Sequence, residues 1–217
     1  MSESIPNTHI HFVLDRSGSM ETCLEDTIGG VNSFLRTQKE LKDGGNCTIS
    51  LYLFDHEYNV LYNEINVQDA KELDHTTYVP RGHTALHDAI GKTVLHAAHC
   101  KYDPKDKIVI VILTDGFENA SREFDNKSIA ALIKKYDALD NWSFVFLAAN
   151  QDSITTAKSL GIGAAGTMDY VQSGEGVRKC YNNLSAAMSR HRTTTPAVAA
   201  SSKIAFTEEE RQDNATV

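Results

Sequence analysis

The sequence has few cysteines, a shortage of basic residues and no long apolar run, and each shortage excludes a class of protein. The four cysteines are scattered and form no Cys-x-x-Cys pair, so we expect reduced thiols and no disulfide framework. No segment reaches the roughly 18 apolar residues that a membrane span needs. With 21 basic and 29 acidic side chains the net charge is −8, which argues against nucleic acid or an anionic membrane as the partner.

The start of the chain also lacks the features of an export signal. Residues 1–6 contain neither a basic region nor an apolar stretch, so no secretory signal is expected there, and a cytoplasmic location is predicted. A length of 217 residues with 41% hydrophobic and 23% charged residues is typical of a globular protein with one well-filled core.

Apolar runs alternate with helical stretches along most of the chain. Strands are predicted near residues 10–14, 48–54, 58–65, 107–113, 142–148 and 167–171, with helices between most of them. The turn at residues 55–57 is so short that the strand after it must run antiparallel to the strand before it. This order predicts an α/β fold: a Rossmann-like, doubly wound, mostly parallel six-stranded sheet with one antiparallel edge strand and helices on both faces.

The composition changes after residue 191, where threonine, alanine and serine dominate and a run of glutamates follows. We therefore predict a domain over residues 8–191 and a flexible C-terminal tail over residues 192–217. One short helical piece, capped by Thr207, is expected within the tail. Ile204 and Phe206 are its only candidates for docking on the domain.

Oxygen-bearing side chains follow the predicted strands. Asp15, Ser17 and Ser19 come directly after the first apolar run, Asp115 ends the most apolar strand, and Thr84 begins a helix. The carboxyl ends of parallel strands meet at one edge of a sheet, so these donors are expected to lie together. Carboxylate and hydroxyl oxygens suit Mg²⁺, Ca²⁺ or Mn²⁺ better than Zn²⁺.

The segments Asp-x-Ser-x-Ser, Gly-x-Thr-x-Leu and Thr-Asp-Gly, in this order, resemble the metal-ion-dependent adhesion site of von Willebrand factor A (vWA) domains. The resemblance covers residues 8–190, and segments 146–152 and 176–178 resemble the small single-domain members of bacteria and phages. It implies that Ser17, Ser19 and Thr84 coordinate Mg²⁺ (or Ca²⁺ or Mn²⁺), with Asp15 and Asp115 binding directly or through water. One coordination position would remain for an Asp or Glu of a partner protein.

Simpler interpretations stand beside each motif. Ser, Asp and Thr also cap helices and close turns. The pairs His83/His87 and His96/His99 have the spacing of zinc ligands, but without a His-Glu-x-x-His pattern surface or core histidines are expected. Extra metal donors at Asp55 and Asp88 are less expected than a turn residue and a helix-surface charge. Arg16 is expected to contact a partner or lie in solvent, and Asn150 and Asp152 to join the rim of the site or cap a helix.

The function expected from these features is a non-enzymatic, metal-dependent protein-interaction module, acting as an adaptor or regulatory subunit. One alternative is a metal-dependent phosphohydrolase that uses Asp15. It is disfavoured because Ser17 occupies the second aspartate position of the phosphatase pattern and no phosphate-binding Gly-x-x-x-x-Gly-Lys-Ser/Thr loop is present. The other alternative is a structural subunit of a larger assembly. The partner, the ion and the oligomeric state stay open at this point.

Overall fold

The computed structural model describes residues 5–149, 153–195 and 203–215. Its main elements in chain order are β1 Thr8–Asp15, α1 Leu24–Glu40, β2 Cys47–Phe54, β3 Tyr58–Asn66, α2 Leu86–His99, β4 Lys107–Thr114, α3 Asn126–Asp137, β5 Trp142–Ala148, α4 Ser153–Ser159, β6 Thr167–Asp169, α5 Gly174–Thr193 and α6 Glu208–Ala215. Short 3₁₀ helices occupy Gly18–Cys23, Val67–Asp69 and Ala164–Gly166. None of the helices in these ranges has the length and apolar character that a bilayer span requires.

The six strands form one sheet in the order β3-β2-β1-β4-β5-β6. All neighbouring pairs are parallel except β2 and β3, which confirms the predicted antiparallel edge strand. After β2 and β3 the chain crosses to the other side of β1 and continues with β4. The strand order therefore reverses between β1 and β4, and ligands of open α/β sheets bind outside the carboxyl ends at such a point.

The two faces of the sheet carry separate apolar clusters, because successive residues of a strand point to opposite faces. On one face Phe12 of β1 packs with Phe34 of α1 and Tyr181 of α5. On the other face Val13 belongs to a cluster with residues of α2, α3 and α4. Every residue of β4 is buried, as expected for a central strand covered on both sides. The predicted arrangement of helices on both faces is confirmed.

The prediction of a flexible tail from residue 192 is wrong for the described part of that segment. Arg192 lies within α5 and is only 2% exposed, and its guanidinium donates to the carbonyl of Gln38 at 2.8 Å. Ile204 and Phe206, each 3% exposed, belong to the same apolar cluster as α1 and α5. Residues 196–202 and 216–217 of the predicted tail lie outside the described residues.

The segment after residue 203 is held by polar contacts as well as by its two apolar side chains. The backbone N–H of Phe206 donates to the carbonyl of Ala165 at 2.9 Å. Thr207 accepts from the N–H of Glu210 at 3.2 Å, which places a cap where the sequence predicts one. Glu210 also forms a two-fold ion pair with Arg190 at 2.7 and 2.9 Å. Composition averaged over the tail hides this docking, since two buried side chains and one ion pair are enough to produce it.

Candidate metal site

Asp15 ends β1 and is completely buried, with both carboxylate oxygens engaged. Its Oδ1 accepts from the N–H of Ser17 at 2.6 Å, and its Oδ2 accepts from the hydroxyl of Thr114 at 2.6 Å. The backbone carbonyl of Asp15 accepts from the hydroxyl of Tyr78 at 2.6 Å. Burial raises the pKa of Asp15 to about 6, against the opposing effect of the hydrogen bonds from Ser17 and Thr114. A nearby cation would relieve this cost, because it favours the charged carboxylate.

The other four predicted donors lie around one point beside Asp15. The hydroxyl oxygens of Ser17 and Ser19 are 3.2 Å apart, and the Ser19 hydroxyl donates to Oδ1 of Asp115 at 2.6 Å. A Cβ atom on Gly116 would lie 3.1 Å from the Thr84 hydroxyl and 3.6 Å from the Ser19 hydroxyl, so both face the space beside Gly116. The structure therefore brings together the five residues that the sequence singled out.

Backbone contacts join the loop of residues 15–19 to the loop that carries Thr84. The N–H of Gly18 donates to the carbonyl of Gly82 at 3.3 Å, and the backbone N–H of Arg81 donates to the backbone carbonyl of Arg16 at 2.8 Å. Gly82 has a φ of +69°, a conformation that a side chain would strain. Thr84 is fixed from the other side, where its N–H donates to the side chain of Asn119 at 2.9 Å. The donors are thus carried by loops that hold one another in place.

An ion-pair cluster around the buried carboxylate of Asp55 supports the same two loops. Asp55 is 0% exposed, and its Oδ2 lies 3.0 Å from Nε of Arg16 and 3.0 Å from Nε of Arg81. Its Oδ1 accepts from the N–H of Glu57 at 2.6 Å, so Asp55 also closes the predicted turn. The expectation that Arg16 contacts a partner or lies in solvent is wrong, because its side chain is mostly buried against Asp55.

The prediction that Asp88 is a charge on the helix surface is wrong. Asp88 is 8% exposed, and its carboxylate accepts three backbone N–H groups of residues 122–124, each at 2.9 Å. These bonds fix the segment that follows Asp115. The carboxylate of Asp88 therefore stabilises the fold and is not a metal ligand. Asn150 and Asp152, the predicted rim or helix-cap residues, lie outside the described residues.

The histidine pairs do not come together as a zinc site. His96 contacts the side chain of Asn63 at 2.9 Å, and His99 contacts the carbonyl of Leu95 at 2.6 Å. Across the described ranges, no group of three or more His, Cys, Asp or Glu side chains is arranged to hold a metal ion. The candidate site is different in kind, because three of its five donors are hydroxyl groups.

Sequence reasoning missed two residues that contact the carboxylates of the site. Thr114, which binds Asp15, stands directly before Asp115, and its position at a strand end was a usable signal. Gln172 donates from Nε2 to Oδ2 of Asp115 at 2.8 Å, and it comes from the loop between β6 and α5. No local pattern marks such a residue, because the carboxylate that it contacts lies 57 positions away in the sequence. Burial raises the pKa of Asp115 as well.

The residues present fit a hard divalent cation. Every donor is an oxygen, and two of the five are carboxylates, which is the chemistry that Mg²⁺ prefers. Neighbouring ligands of an octahedral Mg²⁺ ion lie about 2.9 Å apart, given metal–oxygen distances of about 2.0–2.1 Å. The Ser17–Ser19 separation of 3.2 Å and the Ser19–Asp115 separation of 2.6 Å lie on either side of that value.

Neither a protein-family model nor a curated protein sequence matches the chain. Solved structures do. The chain is similar to a von Willebrand factor type A protein from Catenulispora acidiphila, with 13% identity, a TM-score of 0.55 and coverage of 85% of this chain and 43% of that one. For the zinc-occupied form of proximal thread matrix protein 1 from the mussel byssus, the identity is 14% and the TM-score is 0.59, with coverage of 86% of this chain and 48% of that one. For manganese-loaded TRAP protein of Plasmodium vivax, the identity is 14% and the TM-score is 0.60, with coverage of 88% of this chain and 75% of that one. The chain thus spans less than half of two of these proteins, and identities this low show a shared fold alone.

Proposed function

We propose that this chain, which has the von Willebrand factor A fold, holds a divalent cation, most favourably Mg²⁺, and through it binds a carboxylate of a partner protein. The observation that carries the proposal is the meeting of oxygen donors from three separate chain segments at one point of the sheet edge. The residues that would hold the ion are Asp15, Ser17, Ser19, Thr84 and Asp115.

The energetics of the site support a bound cation. Asp15 and Asp115 are both buried, and the pKa of each is raised because burial disfavours the charged carboxylate. A divalent charge between them would compensate that cost, whereas an apolar partner surface would not. The zinc-occupied adhesion motif of the mussel protein and the manganese in the Plasmodium protein support a divalent ion in this fold.

An acidic side chain is the partner group that suits such a site. A chain of net charge −8 repels acidic surfaces at long range, but a bound cation inverts the field over a few ångströms. Mg²⁺ retains exchangeable waters, and an Asp or Glu of the partner would replace one of them. The cation would supply this one electrostatic link, and the chain's own residues would fix its position.

The proposed role is non-enzymatic, as an adaptor or regulatory subunit. The phosphohydrolase alternative uses Asp15 as a nucleophile or base, yet both of its carboxylate oxygens accept hydrogen bonds and the residue is fully buried. We expect no turnover of p-nitrophenyl phosphate with Mg²⁺. A cytoplasmic site of action is proposed on the support of the four unpaired cysteines.

Calorimetric titration with Mg²⁺ tests the proposal directly. Wild type is expected to bind one ion, and Thr84→Ala is expected to bind it much more weakly. Thr193→Ala is the matched control, because Thr193 is exposed at the end of α5. In a pull-down from a host lysate, EDTA and Thr84→Ala should each remove the same partner. A complex that survives both treatments would favour the structural-subunit alternative.

A further inference from the structure

Gln172 lies in the exposed loop between β6 and α5 and closes a ring of hydrogen bonds around the candidate site. Its Nε2 donates to Oδ2 of Asp115 at 2.8 Å and to the hydroxyl of Thr22 at 3.0 Å. The Thr22 hydroxyl donates its own proton to the carbonyl of Ser19 at 3.1 Å. The Ser19 hydroxyl completes the ring by donating to Oδ1 of Asp115 at 2.6 Å.

The directions of these bonds are mutually consistent. The amide nitrogen of Gln172 has two protons, one for each acceptor. Thr22 gives away its single proton and accepts with a lone pair. Asp115 accepts from Ser19 on Oδ1 and from Gln172 on Oδ2, so these two bonds hold the plane of its carboxylate from two sides.

We propose that Gln172 is a positioning residue of the metal site: it orients the carboxylate of Asp115 toward Ser19. This inference rests on the proposed function, since it assigns Gln172 to the same cation. Groups that orient metal ligands typically contribute about 10- to 100-fold in metal affinity. An amide suits the role because it donates without adding charge. A lysine would compete electrostatically with the cation, and a glutamate would repel Asp115.

The exposure of Gln172 makes the inference testable without disturbing the core. Gln172→Ala is expected to weaken Mg²⁺ binding by about 10- to 100-fold while the melting temperature of the metal-free protein stays unchanged. Gln68→Ala is the matched control. Gln68 is an exposed glutamine that donates to the carbonyl of Lys39 at 2.8 Å, at the opposite edge of the sheet. Its removal should leave Mg²⁺ affinity as it is.

A double-mutant cycle separates positioning from a general effect on the loop. Thr22→Ala should weaken Mg²⁺ binding less than Gln172→Ala does, because Thr22 acts by holding the glutamine amide. In the Gln172→Ala background the Thr22 change should have little further effect. Additive losses from the two changes would contradict the proposed ring, and an unchanged affinity in Gln172→Ala would overturn the inference.

Two measurements separate metal binding from the orientation of Asp115 by Gln172. Wild type that binds no Mg²⁺ would reject the metal site itself. The positioning role is then decided by crystal structures of the metal-free proteins. An Asp115 carboxylate that turns or loses order in Gln172→Ala, but not in Gln68→Ala, supports the role. An Asp115 carboxylate that keeps its orientation overturns it.

Discussion

Replacing Asp15 by asparagine should stabilise the metal-free protein while it removes metal binding. The substitution keeps the shape of the side chain and every hydrogen bond around it. The oxygen of the new amide would still accept from the N–H of Ser17, and its nitrogen would donate to the hydroxyl of Thr114. That hydroxyl can then turn its own proton to the carbonyl of Gly116, which lies 3.2 Å away.

The size of the effect follows from the burial of the carboxylate. Burial raises the pKa of Asp15 from 3.8 to about 6, and at about 1.4 kcal/mol per pH unit this corresponds to about 3 kcal/mol at neutral pH. The sign follows from proton uptake. Between pH 3.8 and 6 the folded state binds the proton more tightly than the unfolded state, so metal-free stability falls as the pH rises through this window. At pH 7 the neutral amide avoids that full cost.

Thermal unfolding in EDTA at pH 7 is the appropriate assay. Asp15→Asn should melt higher than wild type by roughly 6–12 °C, since 1 kcal/mol corresponds to about 2–4 °C for a chain of this size. The advantage should shrink at pH 5. In Mg²⁺ at about 100 times the dissociation constant, wild type alone should gain about 2.7 kcal/mol. Asp140→Asn, at an exposed position, should change nothing. If Asp15→Asn melts below wild type in EDTA at pH 7, burial of the charged Asp15 carboxylate does not destabilise the metal-free protein.

Three further predictions concern the docked C-terminal segment, the ion-pair cluster and the pH dependence of binding. Phe206→Ala removes a buried side chain and should lower the free energy of unfolding by about 3–5 kcal/mol, whereas Glu209→Ala should not lower it. Equal denaturation midpoints for Phe206→Ala and wild type would mean that the segment does not pack on the domain. Asp55→Asn leaves the guanidinium of Arg16 without its buried carboxylate partner. Chemical denaturation should therefore show a free energy of unfolding lower by about 3–5 kcal/mol, and calorimetry should show weaker Mg²⁺ binding. If both values stay unchanged, Asp55 does not support the loops of the metal site. Mg²⁺ affinity should fall by up to about tenfold per pH unit below pH 6, because a proton then competes with the cation for the carboxylate of Asp15. An affinity that stays constant from pH 7 to pH 5 would exclude Asp15 as the titrating group.

The topology and the meeting of the five donors were accessible from the sequence because both follow from short-range rules. The three-residue turn before Tyr58 dictates an antiparallel edge strand. Asp15 ends β1 and Asp115 directly follows β4, on either side of the point where strand order reverses, so the fold itself brings them together.

The remaining features depend on contacts between distant segments, which no local pattern encodes. Asp55 lies 39 positions from Arg16 and reads as an ordinary turn residue until the two loops are placed side by side. Gln172 contacts Asp115 across 57 positions of the sequence, and no signal near residue 172 shows this contact. The flexibility of the C-terminal segment was misjudged for a related reason, although Ile204 and Phe206 stood out as its docking candidates. The composition of a segment reflects its average, while docking depends on single buried side chains.

We expect one divalent cation to bind where the loops after β1 and β4 meet the loop before α2. Anomalous diffraction from crystals grown with Mn²⁺ can locate this ion without any assumption about its ligands. We expect one strong peak about 2 Å from the hydroxyl oxygens of Ser17 and Ser19, and the loss of that peak in crystals of Ser19→Ala. A map with no peak at this point, or with Mn²⁺ bound only at the histidines, would contradict this expectation.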